Sequence, residues 1–201
     1  LRGDYKQSDY GKVILPFTVL RRIDCVLAPT KQAVLDELDL RLSQKMPPDP
    51  FLRKKSGVPF YNADPLNLKT LLGDQDNIAL NLRRYIQGFS PEVRDIFEHF
   101  EFDAQIDRLA RGGLLYQVIE KFATIDLHPD QVSNHQMGLV FEELIRRFSE
   151  LSNETAGEHF TPREVIRLMV NLIFTEDDDE LIKPGIVRTI YDPTAGTGGM
   201  L

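Results

Sequence analysis

The chain has 201 residues, of which 42% are apolar and 27% are charged, and its formal net charge is -7. This composition is typical of a globular protein that can bury a core. The negative charge argues against a simple basic nucleic-acid-binding protein. No apolar run approaches the roughly 18 residues that a membrane-spanning helix requires, so the sequence predicts a soluble protein. The single cysteine, Cys25, excludes an internal disulfide and fits a reducing cytoplasm.

The charge is distributed unevenly along the chain. Residues 1–60 carry 11 Lys and Arg against 7 Asp and Glu, whereas residues 61–201 carry 13 against 24. The first part includes the basic cluster Arg53, Lys54 and Lys55. Such a cluster is usually a solvated surface, and contact with DNA or a partner protein is the alternative.

The first part of the chain shows the apolar periodicity of helices. Pro16 suits the first helical position before FTVLRRIDCVL, in which Phe17, Leu20 and Leu27 share one face. Thr30 can cap the next helix, KQAVLDELDLRLSQK, which must end at the prolines of MPPDP. Residues 51–65 are interpreted as an exposed connection. Further helices are predicted at about 66–72, 76–88 and 91–100, and in EFDAQIDRLAR, LLYQVIEKFATI and NHQMGLVFEELIRRFSEL.

The pattern changes after Leu151. SNETAGEH is predicted to be a loop, and TPREVIRLMVNLIF a buried helix that begins with Pro162 at its first position. IVRTIYD, at residues 186–192, is the first segment typical of a β-strand. The sequence therefore predicts a mainly α N-terminal domain followed by the beginning of an α/β domain.

A glycine-rich turn follows the predicted strand directly. Asp192 and Pro193 precede glycines at 196, 198 and 199. Such a turn after a strand is the entry to a doubly wound sheet, where ligands bind at the carboxyl ends of the strands. Glycine permits a positive φ and close approach of a ligand to the main chain. A tight turn without a ligand is the alternative.

The residues of this turn discriminate between ligand classes. A nucleoside triphosphate site would have a lysine after the last glycine, and none follows Gly199. A dinucleotide site would have Gly-x-Gly-x-x-Gly, and a carboxylate at Asp192 would repel its pyrophosphate. S-adenosylmethionine carries an ammonium group and no phosphate. The charge pattern therefore favours this methyl donor over NAD.

A second motif, GEHFTPREV, precedes the turn. Thr161, Pro162 and Glu164 form a helix-capping pattern, which alone could be capping and nothing more. Together, GEHFTPREVIRLMV and YDPTAGTGGML resemble the modification subunits of type I restriction–modification systems, which are adenine-N6 DNA methyltransferases. GKVILPFTVLRRIDCVLAPTK resembles the start of that family's helical N-terminal domain. MGLVFEELIRRFS resembles the helix that leads into its catalytic domain.

The resemblance implies that the two motifs line an S-adenosylmethionine pocket. One wall would consist of Glu158, His159, Phe160, Thr161, Pro162 and Arg163. The other would consist of Asp192, Pro193, Thr194, Ala195, Gly196, Thr197, Gly198 and Gly199. Backbone donors at the helix that begins with Pro162 suit the methionine carboxylate, and Asp192 suits its ammonium group. Phe160 could pack against the adenine or the thioether. The histidines and the cysteine show no metal-ligand spacing, so no metal site is predicted.

The family's chemistry also requires an Asn/Asp-Pro-Pro-Tyr/Phe segment, which binds the amine of a flipped adenine. No such segment occurs in the 201 residues. We therefore expect no catalytic residue in this chain, no methyl transfer by it alone, and no sheet with which residues 186–201 can pair. The predicted organisation is a helical domain at 1–132 and the start of a Rossmann-like S-adenosylmethionine-dependent methyltransferase domain at 133–201.

The resemblance implies DNA, a specificity subunit and a second modification subunit as partners, with a restriction subunit able to join them, and no membrane. The alternative is a helical protein-interaction module that assembles a complex without chemistry of its own. Residues 1–132 could serve in that way even within an enzyme.

Overall fold

The fold is that of a computed structural model, which describes residues 1, 3, 5–151, 161, 163–175 and 189–195. The described residues form two compact units, Leu1–Phe141 and Glu142–Leu201. Their ten α-helices are α1 Gly11–Leu27, α2 Lys31–Ser43, α3 Asp49–Ser56, α4 Leu68–Leu71, α5 Ile78–Gln87, α6 Pro91–His99, α7 Phe102–Arg111, α8 Leu115–Ala123, α9 Asn134–Leu151 and α10 Arg163–Phe174. The helices predicted between residues 66 and 151 are confirmed, each within a few residues of its expected ends.

Helix α1 is buried over most of its length and packs against α7 and α8. Phe17, Leu20 and Leu27 are buried, as their shared face predicted. The ring of Phe17 meets that of Phe102 edge to face, with centroids 4.9 Å apart. The predicted start of this helix at Pro16 is wrong, because α1 begins at Gly11. A proline at this position omits one backbone hydrogen bond, and the burial of this apolar face offsets the loss.

Three charged residues of α1 lie in the core, and each has partners. Arg21 donates to a carboxylate oxygen of Asp24 at 2.6 Å, and the other carboxylate oxygen accepts the Tyr85 hydroxyl proton at 2.7 Å. Arg22 donates to the carbonyls of Leu127 at 2.5 Å and Val132 at 2.7 Å, and to the Asn134 side chain at 2.7 Å. These bonds tie the segment before α9 to α1. Burial of these polar groups is tolerated because their hydrogen bonds are made.

Cys25 of α1 is buried among these neighbours and has no disulfide partner. Burial raises the pKa of the Cys25 thiol above its ordinary value. The thiol therefore stays protonated at neutral pH, and a buried thiol in this form is chemically inert.

Helices α2 and α3 pack against each other and have a small apolar cluster that is separate from the main core. Val34, Leu52 and Tyr61 are buried together in this cluster. The interpretation of residues 51–65 as an exposed connection is wrong, since α3 occupies its first part. The prolines that end α2 also suit the first turn of α3, so they separate two helices and do not introduce a long loop. Thr30 precedes α2 as predicted, but its side chain makes no capping bond to that helix.

An isolated antiparallel bridge joins Asn62 to Phe89. The Asn62 amide donates to the carbonyl of Tyr85 at 2.8 Å, and the backbone N–H of Ala63 donates to the carbonyl of Gly88 at 2.7 Å. A Cβ added at Gly88 would lie 2.6 Å from the Cβ of Asp64. Close approach of two backbones therefore requires glycine at this position.

Helix α10 belongs to the second unit and is exposed along its apolar side. Leu168, Leu172 and Ile173 are 59%, 68% and 58% exposed. The prediction that this helix is buried is wrong for the described structure. A sequence pattern shows that a helix face is apolar but does not specify what covers it.

The strand predicted at residues 186–192 is not confirmed. Residues 189–191 are not part of a strand, and residues 186–188 lie outside the described ones. The helical part of the expected fold class is therefore observed, and the described residues do not confirm the start of an α/β domain. No helix in the described ranges is long and apolar enough to span a membrane.

We expect Gly88→Ala to destabilise the protein by about 1–3 kcal/mol, because its methyl group would overlap Asp64. Urea unfolding followed by circular dichroism measures the change. Gly138→Ala is the matched control, since a Cβ there meets nothing within 4 Å in α9. It should stabilise by about 0.5–1 kcal/mol. Equal effects of the two substitutions would contradict the close approach.

Arg22→Met should lower the free energy of unfolding by roughly 2–4 kcal/mol, because it removes three hydrogen bonds from a charged donor. Arg111→Met is the control, since Arg111 is exposed and its recorded bond is a long one of 3.4 Å within its own helix. The control should change stability by less than about 0.5 kcal/mol. A comparable loss in both variants in urea unfolding would show that Arg22 does not anchor the segment before α9.

Candidate functional site

The described part of the glycine loop is a turn organised by Asp192. One carboxylate oxygen of Asp192 accepts the backbone N–H of Thr194 at 2.9 Å and its hydroxyl at 3.4 Å. This is an Asx turn, in which an aspartate side chain accepts a hydrogen bond from the backbone two residues further on. The second carboxylate oxygen has no hydrogen-bond donor among the described residues. Asp192 is half-buried, so this oxygen can receive a donor from a ligand.

The electrostatics of the turn follow from its composition. Residues 189–195 contain the carboxylate of Asp192 and no Lys, Arg or His. A carboxylate attracts an ammonium group and repels phosphate. Ala195 is half-buried, whereas Pro193 and Thr194 are exposed. The local geometry is compatible with a cationic ligand, and a turn without a ligand would have the same hydrogen bonds.

Most of the other predicted pocket residues fall outside the described structure. Thr161 is described and exposed, and α10 begins at Arg163 with Glu164 in its first turn. The described structure therefore joins Asp192 to Thr194 and records no contact between the two predicted walls. The predicted pocket residues that lie outside the described structure are Glu158, His159, Phe160, Pro162, Gly196, Thr197, Gly198 and Gly199.

The basic cluster at residues 53–55 is largely neutralised within the chain. Arg53 donates to Asp49 and Glu92, both at 2.9 Å, and these carboxylates raise the pKa of its guanidinium. Lys55 lies 3.9 Å from Glu37. Two of the three cations thus have carboxylate neighbours, which favours the structural interpretation over a contact with DNA.

Lys31, Asn62 and Tyr85 form a polar group in the helical unit that no sequence motif indicates. Lys31 donates to the Asn62 side chain at 2.9 Å, and its Nζ lies 5.3 Å from the centre of the Tyr85 ring. These residues are separated by more than twenty positions, so a local pattern carries no information about them. The available signal was the charged triplet of Arg21, Arg22 and Asp24 inside an apolar helix, which indicates that buried polar partners exist.

The comparisons with known proteins cover both parts of the chain. The model of the HsdM N-terminal domain matches residues 1–122, and that of the N-6 DNA Methylase family matches residues 132–201. The two matches follow one another in the order that the sequence motifs indicated. No solved structure matches the chain significantly.

Three curated relatives are type I methylase subunits. The EcoEI methylase subunit of Escherichia coli is 37% identical over 100 residues, 50% of this chain and 18% of the relative. The MjaIX methylase subunit of Methanocaldococcus jannaschii is 22% identical over 214 aligned positions, 99% of this chain and 36% of the relative. The HindI methylase subunit of Haemophilus influenzae is 32% identical over 63 residues, 31% of this chain and 12% of the relative.

The chain spans between 12% and 36% of the length of these relatives. The family model for the N-terminal domain nevertheless covers more than half of the chain, and the methylase model follows it. These matches agree with the four segments whose resemblance was noted in the sequence. The chain belongs to the HsdM family, the methylase subunits of type I restriction–modification systems.

Proposed function

We propose that the chain is part of a site-specific DNA methyltransferase that transfers a methyl group from S-adenosylmethionine to adenine N6 within a type I restriction–modification complex. The observation that carries the proposal is the consecutive match to the HsdM N-terminal domain and the N-6 DNA methylase family. The relatives are methylase subunits of the same kind of system. A cytoplasmic location follows from a substrate that is cellular DNA.

The hydrogen-bond acceptor at the glycine loop, Asp192, fits S-adenosylmethionine. Asp192 has one carboxylate oxygen fixed by Thr194 and one without a described donor. An ammonium group can take the second oxygen without disturbing the turn. The negative charge of Asp192 disfavours a phosphate-bearing cofactor. When bound, S-adenosylmethionine supplies a methyl group activated by its sulfonium.

We assign each predicted wall a role in holding the cofactor. Asp192 binds the ammonium group, and the glycines that follow it let the ligand approach the main chain. The start of α10 offers backbone donors for the methionine carboxylate, because the first N–H groups of a helix have no partners within the helix. Phe160 packs against the adenine or the thioether. The complete proposed set is Glu158, His159, Phe160, Thr161, Pro162, Arg163, Asp192, Pro193, Thr194, Ala195, Gly196, Thr197, Gly198 and Gly199.

Recognition of the target base requires residues that these 201 do not include. The oxygens of the Asn/Asp-Pro-Pro-Tyr/Phe segment would accept hydrogen bonds from the amine of the flipped adenine, and its aromatic ring would stack on the base. We propose that the 201 residues contribute cofactor binding and assembly, whereas base binding depends on further chain.

The helical unit is the proposed assembly part. Residues Leu1–Phe141 have a core of their own, so they can present a stable surface independently of the methylase segment. We propose a domain division at 132/133, with DNA, a specificity subunit and a second modification subunit as partners. A restriction subunit can join this complex. A role in assembly without chemistry is the second candidate, and the separate core supports it.

The 201-residue chain alone should transfer no methyl group to adenine in DNA. The reason is that the base-binding segment does not occur in its sequence. Incorporation of tritiated methyl groups into duplex DNA measures the activity, with the methylase subunit that contains these residues, bound to its specificity subunit, as the positive control. Formation of N6-methyladenine by the chain alone would contradict the proposed division of labour.

Asp192→Ala should weaken S-adenosylmethionine binding at least tenfold, about 1.4 kcal/mol, in the methylase subunit that contains the chain. Isothermal titration calorimetry measures the affinity. Asp192→Asn separates two roles, because an amide oxygen can still accept the Thr194 N–H but carries no charge. We expect it to bind as weakly as the alanine variant.

Asp130→Ala is the matched control, since its carboxylate is 84% exposed and lies in the helical unit. Its affinity should equal that of the unaltered protein. Unchanged binding by Asp192→Asn would show that Asp192 only shapes the turn. Absence of binding in the well-folded unaltered protein would reject the cofactor assignment and leave the assembly module as the function.

A further inference from the structure

The helical unit contains a cavity of about 720 Å³, bounded by residues of α1, α2, α4, α5 and α8. This volume lies within the range of about 300–1,000 Å³ found for small-molecule sites. Leu27, Leu72 and Ala123 supply an apolar part of its lining. All three are buried or half-buried, so the wall is held by the packing of the domain. The cavity belongs to the first unit and includes no residue of the glycine loop.

Lys31 is the lysine of this cavity that is partly removed from water, whereas Lys69, also in the lining, is exposed. The Lys31 side chain is half-buried, and its Nζ donates to the Asn62 amide oxygen at 2.9 Å. Among the described residues it forms no ion pair with a nitrogen–oxygen distance of 4.0 Å or less. An ammonium group has three protons to donate, and one of them has a recorded acceptor. The remaining donors can serve a ligand.

The nearby carboxylates are already engaged. Asp24 accepts from Arg21, from the Tyr85 hydroxyl and from the backbone N–H of Leu68. Asp64 accepts from Arg84 at 2.8 Å and from a backbone N–H. Each carboxylate therefore has partners of its own.

Burial lowers the pKa of Lys31 to about 8, and the negative charges of Asp64 and Asp24 oppose this shift only in part. Lys31 is still mostly protonated at neutral pH. A charge that is partly removed from water without a counter-ion is costly, and an incoming anion relieves that cost.

We propose that this cavity binds a small organic monocarboxylate, whose carboxylate accepts hydrogen bonds from Lys31 and whose apolar body lies against Leu27, Leu72 and Ala123. The amine and the apolar wall occupy one cavity, which is the arrangement that an amphipathic anion requires. The inference is independent of the proposed methyltransferase function.

The other charges of the cavity favour a single negative charge on the ligand. Glu120 and Asp126 also line it, and they would repel a phosphate or a dicarboxylate. Lys69 lies on the same lining and partly offsets them. Arg21 is occupied by Asp24 and by the carbonyl of Ile125. A monocarboxylate needs only one ammonium group, and Lys31 is the half-buried one.

The test is titration of the 201-residue chain with 2-naphthoate and with 2-naphthamide, its uncharged analogue, by isothermal calorimetry. We expect one naphthoate site with a dissociation constant below about 1 mM, and naphthamide binding at least about tenfold weaker. No binding at about 5 mM naphthoate, or equal affinities for the two compounds, would overturn the proposal.

Two variants locate the site. Lys31→Met should abolish the preference for naphthoate over naphthamide, because it removes the charge and keeps an apolar stem. Ala28→Phe should weaken both compounds, since Ala28 is an exposed lining residue and a ring there obstructs the cavity. This second variant decides the question even if Lys31→Met fails to fold. Unaltered binding by Ala28→Phe would place naphthoate elsewhere and reject the cavity.

Lys55→Met is the matched control. Lys55 is 51% exposed and does not line the cavity. Its removal changes the net charge of the chain by the same amount as the removal of Lys31. The control should bind both compounds as the unaltered chain does. An equal loss of the naphthoate preference in the two lysine variants would show general charge attraction and contradict a site at Lys31.

Discussion

The helical unit depends on the burial of α1 together with the charged residues that it carries. Arg21 and Asp24 form a buried ion pair of 2.6 Å, and Tyr85 and the backbone of α4 complete the carboxylate's partners. Arg22 binds the segment that precedes α9. An uncompensated charge in a core is costly, so each neighbouring element must occupy the position that supplies its partner. Apolar packing alone would leave these positions less defined.

The same reasoning about unused hydrogen-bond capacity applies at the two sites proposed for ligands. Asp192 uses one oxygen to shape its turn and keeps one available, so a structural and a binding role are compatible. Lys31 has one recorded acceptor and, among the residues that the structure describes, no ion pair. We propose a cationic ligand at the first site and an anionic ligand at the second, because a carboxylate attracts positive charge and an ammonium group attracts negative charge. Their separation into different units makes the two proposals independent.

The periodicity of apolar residues predicted the helices well where a helix has one face on the core. The buried face of Phe17, Leu20 and Leu27 was recognised in this way. The sequence predictions were wrong where one local pattern is compatible with two structures. A proline can begin a helix or occupy its second turn, and the prolines after α2 both end that helix and begin α3. The exposure of α10 was also not predicted, because an apolar face in a sequence does not show which part of the protein, if any, packs against it.

The sequence by itself determined the helical character of the first part, the approximate helix ends and the motifs that indicate the methylase family. These depend on residues close together in the chain, where spacing and capping chemistry act directly. Only the tertiary structure decided that Gly88 meets Asp64 and that Lys31 lies beside Asn62 and Tyr85 in a cavity. These contacts join residues more than twenty positions apart, and their energies depend on burial and on partners that no local pattern specifies.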